Sequence, residues 1–228
     1  MTPQHVLRDL VSYLLQSIDG DPSIAPSFSR LPNNEDAWRS LLFCLLSSQV
    51  RVSTAARATQ SVLAEVPFFR THLSSSEVYD KTKVVLARKD VRHRFPEVRS
   101  RQIAGSWFAF AQIKDVLYSY LDSFDTEKAA REAVTQLFPG IGLKQASMFL
   151  RDIGYSDRLC IIDTHLLWYC GHMGKNCDGT LTTKKYIEVE DFLLKQSDEF
   201  GVSPKILDSA IWVAVTTFKA QQCTMQFA

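Results

Sequence analysis

Two short stretches of the chain carry side chains whose types and spacing suit chemistry. The first is FPGIGLKQASMFL at 138–150, where a Pro-Gly-x-Gly turn runs directly into a helix with Lys144 in its first turn. Glycines permit backbone conformations that other residues adopt only at a cost, and they leave no side chain over the turn. The amides that open the next helix then face an approaching anion, and the helix dipole reinforces them. Gly140, Ile141 and Gly142 are therefore a candidate grip on a nucleic-acid backbone, a contact that positions a protein without reading sequence. A lysine here works against helix stability, because cations belong at helix C-termini. The same positive end disfavours an ammonium, and a neutral amine is a nucleophile. From these residues alone, a plain helix–helix turn with a phosphate-contacting lysine fits as well.

The second stretch is IIDTH at 161–165. An aspartate that follows an apolar run and opens a helix is an N-cap by type and place. A carboxylate fixed there can also stabilise positive charge that develops on a sugar. The two roles are compatible.

The rest of the chain must hold these stretches, and it reads as helices throughout. Val6, Leu10, Val11, Leu14 and Leu15 recur at helical spacing over 4–18. Residues 20–34, rich in Pro, Ser and Asn, read as a loop. Helices are expected at 35–48, buried on most sides around LLFCLL, and at 52–65, with Ala55, Ala56, Val62 and Leu63 inward. Ser74–Ser76 can cap another that leads into a basic stretch. After Pro96 one long helix is expected over 97–123, with Ile103, Trp107, Phe110, Ile113, Leu117 and Tyr120 as its apolar stripe. Thr126 can cap a helix to 137, the glycine turn leads into a helix at 143–153, and Asp163 opens one through Trp168. Two more lie near 184–197 and 204–218, the last with Ser203 as cap and Pro204 in first position. LCII at 159–162 reads as a buried connector, being short and without an evident partner strand. The fold class is all-α.

Composition narrows the choice of function. A net charge of +1 argues for no particular partner, but residues 81–101 hold eight Lys/Arg against two Asp/Glu, a local excess that can meet phosphates or simply be solvated. The amphipathic start, MTPQHVLRDLVSYLLQ, lacks the pattern of a signal peptide, and no apolar run is long enough for a membrane span. A cytoplasmic protein is expected, nucleoid-associated if prokaryotic. The five cysteines are odd in number, which argues against a disulfide framework. Cys170 and Cys177 flank His172 without further ligands close by, so no metal site is expected.

Taken together, PGIGLKQAS…LRDIG…IIDTH resembles the helix-hairpin-helix DNA glycosylases of the endonuclease III superfamily. The resemblance is greatest to the 8-oxoguanine DNA glycosylase/AP lyases of the compact prokaryotic second family. In that superfamily the hairpin is followed by a lysine and then by an aspartate, and here Asp163 lies nineteen positions after Lys144. The resemblance is strongest over 126–170 and weaker over 35–110 and 203–213. It implies the HhH-GPD fold, two helical subdomains flanking a DNA-binding cleft. One would span 35–155 and end in the hairpin; the other would combine 1–34 with 156–228 from both chain ends. It also implies a bifunctional enzyme. The target nucleotide is flipped out, Lys144 attacks C1′ and the base departs. Asp163 stabilises the oxocarbenium-like transition state, and the Schiff base permits a β-elimination that nicks the strand.

Further expectations rest on the same resemblance. Gln49 matches a polar residue that enters the duplex beside the vacated base. Phe95 and Trp212 match aromatic positions that sandwich the flipped base, and Met148 lies one turn after Lys144. His165 follows the aspartate and is placed to touch phosphate, while Arg99 and Arg101 would line the DNA path. The implied partner is double-stranded DNA containing a damaged or modified base, met by a monomer with no membrane attachment. No four-cysteine cluster follows Asp163, so no iron–sulfur cluster or other cofactor is expected. The chain continues sixteen residues past Trp212, beyond the usual end of the compact family, and Met148 does not declare a base. A glycosylase acting on a different modified base, such as one in foreign DNA, stays open. So does a non-catalytic helix-hairpin-helix DNA-binding module, in which Lys144 contacts phosphate and Asp163 is only a cap, and so does an adaptor whose turn is only a turn.

Overall fold

The computed structural model describes residues 3–18, 29–31, 33–69 and 72–225, and among these every regular element is helical. The expected loop at 20–34 lies largely outside the described residues. In chain order the helices are α1 (Pro3–Ile18), α2 (Asn34–Ser47), α3 (Val52–Glu65), α4 (Ser75–Ala87), α5 (Pro96–Ile113), α6 (Leu117–Asp122), α7 (Glu127–Leu137), α8 (Leu143–Asp152), α9 (Thr164–His172), α10 (Thr183–Phe200) and α11 (Pro204–Met225). They fall into two compact units. One is Ser29–Ser156; the other joins Met1–Phe28 to Asp157–Ala228. No helix is long and apolar enough to cross a membrane among the described residues.

In the first unit, side-chain caps start three of the helices. The Asn33 side chain accepts from the Asp36 amide to open α2, Ser74 and Glu77 form a reciprocal capping box for α4, and Thr126 accepts from the Ala129 amide to open α7. Trp38 of α2 is 1% exposed and sits among Phe68, Trp107 and Phe110, with ring centroids 4.8, 5.7 and 5.4 Å away. This aromatic cluster joins α2 to α5 through tilted and edge-to-face packing.

Two expected faces and one expected helix are corrected. In α3 the inward residues are Ala55, Ala58, Thr59 and Val62, while Ala56 is exposed and Leu63 half-buried. The i, i+3, i+4, i+7 set shares one face, whereas adjacent alanines lie about 100° apart on a helix. In α1 Leu7, Val11 and Leu15 are buried and Val6 faces out for the same reason. The single helix expected over 97–123 is broken: α5 ends at Ile113, a 3₁₀ turn covers Lys114–Val116, and α6 follows. β-Branched Ile113 and Val116 bracket the break with φ of −115° and −125°. The Asp115 carboxylate accepts from the Asn34 side-chain amide at 3.1 Å, which draws the turn toward the start of α2. The break buries Leu117 and Leu121 and leaves Tyr120 half-buried.

Gly154 closes α8 in the left-handed region at φ +69°, and a Cβ there would fall 2.0 Å from the Ser29 carbonyl oxygen. That backbone is held by Leu31, whose amide donates to the Ile153 carbonyl at 3.1 Å, and by Tyr118, whose hydroxyl donates to the same carbonyl at 2.6 Å. Gly154→Ala is therefore expected to cost about 2 kcal/mol or more. Thermal unfolding should show a midpoint lower by about 5 °C or more; an unchanged midpoint would contradict the close approach.

In the second unit the 159–162 connector contains no strand, and side chains take the place of a neighbouring ladder. The amides of Cys160, Ile161 and Ile162 donate to Glu190 Oε1 (3.2 Å), Asp208 Oδ2 (3.0 Å) and the Tyr186 hydroxyl (3.4 Å). The Tyr186 hydroxyl donates in turn to the Cys160 carbonyl at 2.7 Å. Buried backbone groups must be paired somewhere, and here α10 and α11 do it. The helices also run longer than expected, α9 to His172, α10 to Phe200 and α11 to Met225.

Candidate active site

The turn between α7 and α8 follows from its sequence. The Ile141 amide donates to the Phe138 carbonyl at 3.1 Å, and Gly140 has φ +86°. Pro139 and Gly140 thus occupy the central positions of a type II turn, which calls for proline first and glycine second. The Gln102 side chain of α5 lies directly over Gly140, where a Cβ would meet its amide carbon at 2.3 Å. Phe138 and Ile141 are buried, and Phe138 meets Phe149 edge-on at 6.1 Å. Buried Arg131 of α7 donates to the Ser147 hydroxyl of α8 at 3.2 Å, which fixes the two arms of the hairpin. Gly142 is the N-cap of α8 and contributes no side-chain cap. The first amides of α8, those of Leu143, Lys144 and Gln145, have no partner within the helix.

Lys144 is half-buried in this first turn, and Met148 is half-buried one turn later. Lys144, Met148 and Asp152 follow at four-residue intervals along one stripe of α8, which packs on α2. On α2, Cys44 is fully buried. Burial pushes its thiol pKa well above the usual range and the Asp152 charge adds to this, while a Ser40 hydrogen bond and the Lys144 charge act the other way. The Ser40 hydroxyl donates to Asp152 Oδ2 at 3.1 Å. Lys144 therefore lies within electrostatic reach of buried Cys44 on α2, beside the half-buried Ser40 and the exposed Asp152.

The same unit places the other expected residues separately. Gln49 is exposed between α2 and α3 with φ +61°, a left-handed conformation in a residue that has a Cβ. Phe95 is half-buried at the start of α5, with the Arg94 guanidinium 4.9 Å from its ring centre. Arg101 is exposed and pairs with Glu97 at 3.3 Å. Arg99 departs from the expectation of a residue lining a DNA path. It is 8% exposed and turns its guanidinium to Gln102 Oε1 at 2.7 Å, so it braces the residue that covers Gly140. Burial lowers its pKa.

In the second unit Asp163 is the N-cap of α9. One carboxylate oxygen accepts from the His165 and Leu166 amides at 2.8 and 3.0 Å. The other lies 3.2 Å from His165 Nδ1. The His165 ring is half-buried and 5.6 Å from that of Trp212, which is 47% exposed on α11. One turn before Trp212, Asp208 holds the Ile161 amide. α11 thus positions both Trp212 and the segment that leads to Asp163.

Sequence reasoning missed Ser40, Cys44 and Asp152 beside Lys144, and Asp208 beneath Asp163. Asp208 had a signal: it is a carboxylate on the otherwise apolar face ILDSAIW, four residues before Trp212. Cys44 had none, because LLFCLL reads simply as core. Among the described residues no group of three or more His, Cys, Asp or Glu is placed to hold a metal ion.

Comparison with known proteins fits this arrangement. The 8-oxoguanine DNA glycosylase family model matches residues 25–202. An 8-oxoguanine DNA glycosylase/AP lyase of Methanocaldococcus jannaschii is 32% identical over 182 residues, covering 79% of this chain and 80% of the relative. One from Thermotoga maritima is 30% identical over 183 residues, with the same coverage of 79% and 80%. The crystal structure of the Thermotoga maritima enzyme matches with a TM-score of 0.67 at 26% identity, covering 90% of this chain and 95% of that one. The Methanocaldococcus jannaschii glycosylase/lyase, in complex with a 15mer DNA containing 8-oxoguanine, matches with a TM-score of 0.60 at 27% identity, covering 90% and 88%. An all-helical chain with a glycine-turned hairpin and these neighbours has the fold of the helix-hairpin-helix DNA glycosylases. Within that class, the chain belongs to the 8-oxoguanine DNA glycosylase family.

Proposed function

We propose that the chain is a bifunctional DNA glycosylase/AP lyase that removes 8-oxoguanine from double-stranded DNA and then nicks the strand. The observation that carries this reading is Lys144, in the first turn of a helix without a side-chain cap and directly behind a type II Pro-Gly turn. The related enzymes named for this activity support the choice of base. The α8 amides and Gly140–Gly142 grip a phosphate, and Gln49 enters the duplex where the nucleotide is flipped out. Phe95 and Trp212 offer aromatic faces to the base, since stacking suits any base. His165 and Arg101 contact the backbone.

The chemistry then runs in two stages. The Lys144 amine forms a bond to C1′ as the N-glycosidic bond breaks; the base departs with the bonding electron pair and takes up the proton that the alkylated Lys144 nitrogen releases. Asp163 stabilises the positive charge that develops on the sugar. Opening of the sugar ring leaves an iminium between Lys144 and C1′. Loss of a C2′ proton expels the 3′ phosphate and cuts the strand. The reaction needs no metal or cofactor, and the protein works as a monomer.

Borohydride trapping tests this. Duplex DNA with 8-oxoguanine, and separately with an abasic site, is incubated with the protein and reduced. A covalent adduct on both substrates is the expected result. An adduct on the abasic site alone would keep the lysine chemistry and discard the base. No adduct on either would favour a DNA-binding module.

A further inference from the structure

His93 is 5% exposed, and both of its ring nitrogens are engaged. Nδ1 lies 3.2 Å from the Phe95 amide nitrogen, which can only donate, so Nδ1 accepts. Nε2 lies 3.0 Å from the Leu46 carbonyl, which can only accept, so Nε2 carries the proton. The two partners fix the tautomer. Leu46 belongs to the last turn of α2, where carbonyls lack an intrahelical partner. The His93 ring therefore caps α2 from outside, three residues before the left-handed Gln49. Its other nitrogen sets the backbone of Phe95, at the point where the chain enters α5. The turn between α4 and α5 is secured at its near end as well, because the His93 amide donates to the Leu86 carbonyl at 3.0 Å and Arg92 takes φ +47°.

We propose that His93 is a positioning residue for base excision: through two hydrogen bonds in one tautomer it ties the end of α2, which leads to Gln49, to the backbone of Phe95. The inference rests on Phe95 and Gln49 acting on the flipped base and the vacated duplex. Cleavage at a ready-made abasic site has no base to stack on Phe95, so loss of His93 falls mainly on excision.

The ring also makes excision sensitive to acid. Burial holds the His93 pKa below the usual histidine range, the Leu46 carbonyl opposes this and the Arg99 charge on α5 adds to it. Leu46 of α2 and Leu86 of α4 present carbonyls to His93, and Arg92 and Arg94 beside it are exposed. The folded value is depressed, so the stabilisation is fully present above about pH 6.5 and is lost as pH falls toward the folded value. A proton on Nδ1 would set two donors face to face and release Phe95.

Single-turnover excision of 8-oxoguanine and nicking of a preformed abasic site, each from pH 5 to 8, test the inference together. His93→Leu keeps bulk and removes both bonds. Its excision should fall about tenfold or more while nicking stays within about twofold of the wild type. His93→Asn can accept from the Phe95 amide two residues on, as an Asx turn does, and cannot titrate. It should recover the part of the excision that depends on the Phe95 bond and abolish the acid-side fall in the ratio of excision to nicking. Equal losses of both activities in His93→Leu, or no recovery in His93→Asn, would overturn the positioning role. A wild-type chain that nicks abasic DNA and leaves 8-oxoguanine in place would overturn the choice of base, and the role of His93 with it.

Discussion

Lys144→Gln is expected to abolish the borohydride-trapped adduct on both abasic and 8-oxoguanine duplexes and to lower strand nicking by about 10³-fold or more. Glutamine keeps most of the lysine's length and can still hydrogen-bond to a phosphate, but its amide has no nucleophilic lone pair. Lys144 is half-buried and α8 has no side-chain cap. Removing a cation from the first turn of a helix relieves an unfavourable dipole interaction, so the melting temperature should hold or rise slightly. Gel analysis of the adduct, nicking assays and a thermal melt on the same preparation separate chemistry from folding. An unchanged nicking rate would sink the amine mechanism.

The second large effect is expected for Asp163→Asn. Asparagine Oδ1 can take over both capping bonds, from the amides of His165 and Leu166, because asparagine caps helices as well as aspartate does. The substitution therefore removes the negative charge and leaves the cap. Excision should fall by about 10²–10³-fold, with duplex affinity and melting temperature close to the wild type. Asp163→Ala would be less informative, since loss of the cap alone costs about 1 kcal/mol. Single-turnover excision paired with gel-shift affinity is the measurement. A non-catalytic binding module predicts no cost beyond the cap, so unchanged excision in Asp163→Asn would remove the carboxylate from the chemistry.

The features that were legible in the sequence are those whose partners lie within about four residues. Thr126 opens α7 by accepting an amide three residues on, Asp163 opens α9 in the same way, and Pro139-Gly140 specifies its turn through backbone angles alone. Such interactions are complete within one segment, so residue type and spacing determine them. The hairpin, the helical class and the candidate pair Lys144 and Asp163 were readable on this basis and on a resemblance carried by short motifs.

Tertiary structure decided the rest. The break at Lys114–Val116 involves Asn34, eighty-one residues away. Arg99 carries the same charge as Arg101 two positions on, yet it turns inward to Gln102 while Arg101 stays in solvent. Cys44 looks like core until Ser40, Asp152 and Lys144 are brought to it by the packing of α8 on α2. His93 looks like one more member of a basic run until Leu46 and Phe95 take its two nitrogens. By itself, the sequence determined the helical class, the starts of the helices that carry their own caps and the turn that joins α7 to α8, because those depend on short-range sterics and hydrogen bonds. Only the packing of distant segments decided which charged and titratable groups are buried and what each one holds, because desolvation and long-range partners exist only once the chain has closed on itself.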